Sequence, residues 1–115
     1  MESQVVVAAL GALAHESRLT VFRSLVKRGP QGYTPTALLE QIDIPAPTLS
    51  FHLKELQRAG LLTSRREGRF LYYSANFETM QGLIDFLTDQ CCSLSDEACD
   101  TSCRPVAATA KSKRA

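Results

Sequence analysis

A chain of 115 residues, 44% of them apolar, has room for one domain with a modest core. The formal net charge of +1 argues against a protein that coats nucleic acid over its whole surface, but it is compatible with a local basic stripe. No apolar run approaches the roughly 18 residues of a transmembrane helix. Glu2 precedes the apolar stretch 5–13, where a signal peptide would carry a basic residue. We therefore expect a cytoplasmic protein with no membrane segment.

Two helices open the predicted fold. Residues 4–13 are apolar on almost every side, which favours burial on two sides, with a second subunit as the simplest source of the second side. An ordinary amphipathic helix is the alternative. Residues 17–28 form the second helix, which Gly29 and Pro30 end. His15 lies just before it, and we favour a capping role over metal ligation because no second histidine lies at ligand spacing.

A helix-turn-helix is predicted next. Thr34 and Pro35 are the residue types of an N-cap and a first helical position, and residues 36–41 make a short helix. A second helix contains the stretch 45–56 and closes at Ala59-Gly60. Two short helices joined by a tight connection form a helix-turn-helix, although any helical hairpin has a similar pattern.

The second of these helices has one apolar face and one polar face. Leu49, Leu53 and Leu56 recur at i, i+4 and i+7, whereas Phe51 points away from them at about 100° per residue. An outward phenylalanine beside hydroxyls and a lysine fits a surface that meets the methyl groups, base edges and phosphates of the DNA major groove. His52 lies only about 60° from the apolar stripe, so a half-buried structural role is the alternative for it. The residues predicted to face the groove are Pro47, Thr48, Ser50, Phe51, His52 and Lys54.

A β-hairpin follows the helix-turn-helix. Residues 61–66 and 69–74 are strand-like and flank Glu67-Gly68, a hairpin turn signal. From residue 54 to residue 73 there are five basic residues against two acidic ones, so the basic excess lies beside the polar helix face. Basic side chains there would contact phosphates, although a merely solvated hairpin tip is the alternative. The residues predicted to contact the DNA backbone or the minor groove are Arg65, Arg66, Arg69 and Tyr73.

A last helix is predicted over residues 76–90, and the complete pattern resembles a known family. The resemblance is carried by AHESRL, PTLSFHLKEL, AGLL, REGR and YY, which begin at residues 14, 47, 59, 66 and 72. These motifs and this order of elements are similar to the winged-helix ArsR/SmtB family of bacterial metal-responsive repressors. The resemblance implies a mostly α fold with a small β-hairpin (α+β), a winged helix-turn-helix that dimerises through its first and last helices. It also implies a homodimeric repressor, not an enzyme, that binds a palindromic double-stranded operator.

Two metal sites that are common in this family are missing from the chain. Many arsenic-responsive relatives carry Cys-x-Cys at the start of the first helix of the helix-turn-helix, but residues 36–40 contain no cysteine. Zinc-sensing relatives use aspartate and histidine ligands on the last helix. Asp85 is present there, but no histidine follows it. A metal sensor built on this chain needs other ligands.

The cysteines are crowded together after the last predicted helix, and in the cytoplasm they would stay reduced. In one straight helix Cys92 and Cys99 would stand about 10 Å apart along the axis, too far for one ion. The helix must therefore break after Cys92 if both are ligands, and Ser93 and Ser95 look like a fresh N-cap. Three soft thiolates on a folded-back segment, Cys91 included, suit a thiophilic ion.

A subset of arsenic-responsive family members is similar to this chain in having a vicinal cysteine pair at the end of the last helix and a third cysteine several residues later. The resemblance implies that Cys91, Cys92 and Cys99 bind trivalent arsenic as an inducer, with antimony behaving alike and no other cofactor required. Cys103 lies outside that pattern and is the alternative third ligand. The chain then divides into a winged-helix DNA-binding and dimerisation domain, residues 1–92, and a cysteine-bearing, partly disordered tail, residues 93–115.

Other interpretations of the cysteines stay open. Four of them could hold zinc or cadmium, although vicinal cysteines are poor spacing for a tetrahedral zinc site. Clustered thiols could also form a redox switch, or the tail could simply be unstructured or dock a protein partner. A cysteine-based enzyme is disfavoured because no Cys-x-x-Cys motif or phosphate loop is present.

Overall fold

The computed structural model describes residues 1–94 and confirms a mostly helical winged helix-turn-helix fold with a small hairpin. Residues 1–83 form one compact unit, and a second unit begins at Ile84. The predicted domain boundary after residue 92 stays a prediction. In the described part of the chain the elements in order are α1 (Ser3–Leu13), α2 (Glu16–Arg28), α3 (Pro35–Gln41), α4 (Ala46–Arg58), β1 (Leu62–Glu67), β2 (Phe70–Ala75) and α5 (Phe77–Thr88).

Side-chain caps explain where three of the helices begin. The Nδ1 atom of His15 accepts a hydrogen bond from the Ser17 backbone N–H at 3.2 Å, which confirms the predicted capping role. Thr34 Oγ1 accepts from the Ala37 N–H at 3.2 Å, directly before Pro35, as the sequence predicted. Asn76 Oδ1 does the same for α5. Each cap satisfies one of the backbone donors that the first turn of a helix leaves without a partner.

The core of the first unit is aliphatic. At α4 it holds Leu49, Leu53 and Leu56, each at most 1% exposed. Full burial of one such side chain stabilises the fold by about 1.5–3 kcal/mol. These three positions are the ones that the helical periodicity assigned to the core. The other buried apolar residues are Val6, Ala9, Ala12, Val21, Phe22, Leu25, Leu38, Leu61, Leu62, Ala75 and Leu83.

Among the residues that the structure describes, helix α1 buries one of its faces. Val6, Ala9 and Ala12 are buried, whereas Val5 is 46% exposed and Val7 is 68% exposed. Both faces are apolar, so the helix presents a second apolar side to its surroundings.

In the part of the chain that the structure describes, no single helix is long and apolar enough to cross a membrane. The pair α1 and α2, bent by 102°, passes that test together by length and composition only.

The hairpin turn lies one residue later than predicted. Strands β1 and β2 pair antiparallel from Leu62 opposite Ala75 to Glu67 opposite Phe70, so the two turn residues are Gly68 and Arg69 rather than Glu67 and Gly68. Gly68 has a φ of 64°, a backbone conformation that side chains with a Cβ disfavour. The glycine therefore occupies the first turn position, and strand pairing continues through Glu67.

Helix α5 ends earlier than predicted. It stops at Thr88 rather than at residue 90, and turns follow through residue 94. Gln90 and Cys92 have positive φ angles of 56° and 63°, which no α-helix contains. The break therefore precedes the vicinal cysteines instead of following them. The predicted N-cap at Ser95 lies outside the described residues.

Candidate nucleic-acid interface

Helix α4 separates the residues that hold it from those that it presents. The predicted groove-facing face is exposed except at one position, and Phe51 is 54% exposed. Phe51 therefore adds apolar surface to an otherwise polar helix face. The exposed members of the predicted set are Pro47, Thr48, Ser50, Phe51 and Lys54.

His52 is the exception, and the structure corrects its assignment. Its side chain is 4% exposed, and its Nδ1 accepts a hydrogen bond from Arg18 Nε at 3.2 Å. The His15 and His52 ring centroids are 4.8 Å apart. Burial lowers the pKa of His52 below its usual 6.5, and the neighbouring charges of His15 and Arg18 lower it further. His52 is therefore a neutral acceptor that joins α4 to α2, the structural alternative stated above.

Arg18 is a residue that the sequence analysis missed. Its guanidinium carbon lies 5.5 Å from the centroid of the Phe51 ring, within cation–π range, while its Nε bonds His52. One arginine on α2 thus contacts both the buried and the exposed aromatic ring of α4. No spacing signal in the sequence links two residues that stand 33 positions apart, so only the folded chain reveals this contact.

The β1–β2 hairpin is the wing of the fold, and the arginines predicted to contact DNA from it fall into two groups. Arg66 and Arg69 are exposed near the tip of the hairpin. Arg65 instead turns back toward the body of the first unit, where its guanidinium donates to the carbonyl oxygens of Pro30 and Gln31. The Arg65 side chain is 41% exposed, but its two terminal nitrogens are held by these main-chain contacts.

Tyr73 is half-buried rather than extended toward solvent. It pairs with Tyr33 through two backbone hydrogen bonds of 2.9 Å, and its side chain packs against the core. Alternation along β2 puts it on the same side as the buried Ala75, which explains why it faces inward. Phe70, which the sequence analysis did not select, is 56% exposed beside Arg69 at the wing tip.

The vicinal cysteines lie in the second unit. Their Sγ atoms are 3.6 Å apart, with Cys91 exposed and Cys92 half-buried. Within residues 1–94, no group of three or more histidine, cysteine, aspartate or glutamate side chains has the geometry to hold a metal ion. The other two predicted ligands, Cys99 and Cys103, lie outside the described residues.

Comparison with known proteins identifies the family. Residues 13–65 match a model described as a helix-turn-helix domain. The chain is 35% identical over 81 residues to the arsenical resistance operon repressor of Bacillus subtilis, covering 70% of this chain and 73% of that protein. The chain belongs to the ArsR family. It is a transcriptional repressor with a DNA-binding fold, and not an enzyme.

Solved structures of ArsR-type regulators have the same fold. An ArsR-like transcriptional regulator from Rhodococcus sp. RHA1 superposes with a TM-score of 0.66 at 23% identity, covering 73% of this chain and 76% of its own. A possible ArsR-family regulator from Mycobacterium bovis, described as a homodimeric winged helix-turn-helix DNA-binding domain, gives a TM-score of 0.57 at 25% identity. That match covers 84% of this chain and 88% of the other.

Proposed function

We propose that this ArsR-family protein is a cytoplasmic, homodimeric repressor of an arsenic-resistance operon. Trivalent arsenic, or antimony, binds Cys91, Cys92 and a third thiolate and releases the protein from its operator. The observation that carries this proposal is the pair of thiol sulfurs 3.6 Å apart in the turn after α5. The similarity to the arsenical resistance operon repressor of Bacillus subtilis supports it.

The thiol pair fits a thiophilic ion. Metal–thiolate bonds of about 2.3 Å, such as zinc forms, reach one ion from two sulfurs separated in this way. Two thiolates leave a trivalent ion one ligand short, and Cys99 is the proposed third, with Cys103 as the alternative. Soft thiolates favour soft ions over magnesium or calcium, which prefer oxygen ligands.

The surface that binds DNA is the exposed face of α4. Phe51, with Thr48 and Ser50 beside it, meets base edges and thymine methyl groups in the major groove. Lys54 and the exposed wing arginines contact phosphates and fix the register. In a two-fold symmetric dimer, the two α4 helices would enter successive major grooves about 34–36 Å apart.

Dimerisation uses the apolar surfaces that one chain leaves uncovered. On α1 these include Val5, Val7 and Leu10, at 46%, 68% and 40% exposure. On the part of α5 that belongs to the second unit, Ile84 and Leu87 are 46% and 60% exposed. Apolar residues concentrated on two helices are typical of a homodimer interface rather than of a monomer surface. The homodimer described for the Mycobacterium bovis domain supports this assignment.

Release follows from a shift in population. The metal-free dimer holds both α4 helices in a DNA-competent arrangement. Arsenic binding by the thiolates after α5 stabilises a different arrangement of the dimer. DNA affinity then falls by the factor by which arsenic binds the DNA-free protein more tightly than the DNA-bound protein. The same linkage requires DNA to weaken arsenic binding by an equal factor.

X-ray absorption of the arsenite-loaded protein tests the inducer site. We expect three sulfur neighbours around arsenic, and loss of the native-mass adduct in Cys91→Ser and in Cys92→Ser, with Ser93→Ala as the matched control that still binds. A four-sulfur shell in zinc-loaded protein together with no arsenite adduct would move the assignment to a zinc or cadmium site. No adduct with either ion would leave a tail that docks a partner or responds to oxidation.

Sedimentation equilibrium tests the dimer. Val7→Glu places a charge on the uncovered face of α1, and we expect it to shift the protein toward monomer by at least about tenfold in dissociation constant. Leu19→Glu, at a residue 43% exposed on α2, is the matched control outside the proposed interface and should stay dimeric. A dimer unchanged by Val7→Glu contradicts this interface.

A further inference from the structure

The apolar core does not set the direction of the wing tip. In β1 only Leu62 is buried, and in β2 only Ala75, which is its partner at the base of the hairpin. Every residue from Thr63 to Phe70 is exposed. Packing therefore anchors the hairpin at its base, while Arg66 and Arg69 lie several residues away from that anchor.

One backbone contact joins the middle of the wing to the loop before α3. Tyr33 and Tyr73 exchange N–H···O bonds of 2.9 Å each, and Gly32 lies against the Tyr73 carbonyl with a φ of 73°. A side chain at Gly32 would overlap that carbonyl, so the close approach requires glycine. One hydrogen-bonded residue pair is a single point of attachment, and a hairpin can still rotate about it.

Arg65 supplies a second point of attachment. Its Nη2 donates to the Gln31 carbonyl at 2.8 Å and its Nη1 to the Pro30 carbonyl at 3.2 Å. Its Nε donates to Glu67 Oε2 at 2.6 Å, and its guanidinium carbon lies 4.8 Å from the Tyr72 ring centroid. The planar guanidinium of Arg65, held by these contacts, fixes the angle of the wing in a way that the flexible ammonium group of a lysine would not.

The loop that Arg65 contacts is itself held in place. Arg28, at the end of α2, donates from Nε to the Gly32 carbonyl at 3.1 Å, and its guanidinium carbon lies 5.0 Å from the Tyr33 ring centroid. This loop leads directly into α3, the first helix of the helix-turn-helix. A wing fastened to it is therefore fastened to the element that positions the recognition helix.

We propose that Arg65 is a positioning residue that sets the angle of the wing, so that Arg66 and Arg69 reach the phosphates. Arg65 itself does not contact DNA, which replaces the phosphate contact expected from its position near the hairpin tip. This inference rests on the proposed DNA surface, and it divides three clustered arginines into one that orients the wing and two that bind.

The salt dependence of DNA affinity separates the two roles. The probe is the tightest duplex that the wild-type protein selects from a random-sequence library. Arg65→Lys and Arg65→Gln should both bind it about tenfold more weakly and with a lower slope of log affinity against log salt, because a misdirected wing loses phosphate contacts made by Arg66 and Arg69. The matched variant Arg66→Gln should lower that slope by about one, and Arg66→Lys should preserve it.

A double-mutant cycle shows whether Arg65 acts through its neighbours. In an Arg66→Gln/Arg69→Gln background, Arg65→Lys should have less than half of its effect on log affinity, because a misdirected wing then carries no phosphate contacts. General destabilisation would cost the same in either background, and unfolding midpoints of all variants verify that each is folded at the assay temperature.

Four results overturn the inference. Arg65 would be a phosphate contact if Arg65→Gln lowered the salt slope by about one while Arg65→Lys kept the wild-type affinity. Additive effects in the cycle make its role generally structural. Failure of the wild-type protein to select any duplex overturns the DNA surface itself, whereas a wild-type protein that binds beside an unaffected Arg65→Lys overturns only the positioning role.

Discussion

Helix α4 and the wing belong to one proposed DNA-binding surface, but different forces hold them. Helix α4 rests on Leu49, Leu53 and Leu56, each at most 1% exposed, so non-directional apolar packing places it. The wing depends on directional contacts, chiefly the Tyr33–Tyr73 bridge and the Arg65 fork. Changes beneath α4 should therefore cost stability, whereas changes in the wing should cost DNA affinity in a folded protein.

The largest effect is expected beneath the recognition helix. Leu53→Ala removes a fully buried side chain and should lower the free energy of unfolding by about 2–5 kcal/mol, from lost transfer energy and the cavity left behind. Urea denaturation followed by circular dichroism measures it. Lys54→Ala, the next residue on the exposed face, should stay within about 0.5 kcal/mol of wild type. Equal, small losses at both positions would mean that packing does not hold α4.

Substitution of Gly32, which lies against the Tyr73 carbonyl, should give the next largest loss of stability. Gly32 and Gly68 both have positive φ angles, of 73° and 64°, but only at Gly32 would a Cβ overlap a backbone carbonyl. Gly68→Ala should cost about 1 kcal/mol for the backbone conformation alone. Gly32→Ala should cost about 2–3 kcal/mol because the chain must also shift. Matching unfolding midpoints for the two variants would show that the close approach to Tyr73 is unimportant.

These two regions also differ in how far the sequence could predict them. The Leu49, Leu53 and Leu56 stripe is a local period, so both faces of α4 were predictable without a structure. The outward position of Phe51 follows from the same period. The burial of His52 could be stated only as an alternative, because Arg18, which donates a hydrogen bond to its Nδ1, is distant in sequence.

The wing was predictable as a hairpin, but the roles of its side chains were not. Composition places three arginines near the turn, and nothing local reveals that Arg65 bonds the carbonyls of Pro30 and Gln31, 34 or more positions away. The turn itself was predicted one residue too early, since both Glu67-Gly68 and Gly68-Arg69 contain the necessary glycine. Long-range polar contacts leave no periodic trace, whereas buried faces do.

The groove-facing residues of α4 provide a smaller, functional test of the comparison. Phe51→Ala should weaken binding of the selected duplex by about tenfold, with an unchanged salt slope, because the lost contact is apolar. Lys54→Ala should instead lower the slope by about one, because the lost contact is to a phosphate. Fluorescence anisotropy at several salt concentrations measures both. Identical slopes in the two variants would contradict the assignment of the two side chains.

The smallest expected effect is the pH dependence that His52 contributes to stability. Burial, and then the charges of His15 and Arg18, lower the pKa of His52 in the folded state below 6.5. As pH falls through about 6.5 the unfolded chain takes up the proton first, so stability decreases through that window and levels off below the folded pKa. Above about pH 7.5 this loss is absent.

His52→Gln isolates this contribution. Glutamine does not titrate and can still accept a hydrogen bond from Arg18. Urea midpoints from about pH 8 to about pH 5 should therefore fall less steeply in the variant than in the wild type. Parallel profiles would show that His52 does not titrate with a lowered pKa.

We propose that arsenic binding by the thiolates after α5 controls a DNA surface built elsewhere in the chain. The most direct test is the anisotropy of the labelled, selected duplex bound to the reduced protein while arsenite is added. We expect release from the wild type and from the Ser93→Ala control, and persistent binding by Cys91→Ser and Cys92→Ser. Release that is equally strong in either cysteine variant would contradict the assigned site, and a wild-type complex that arsenite leaves intact would contradict arsenic control altogether.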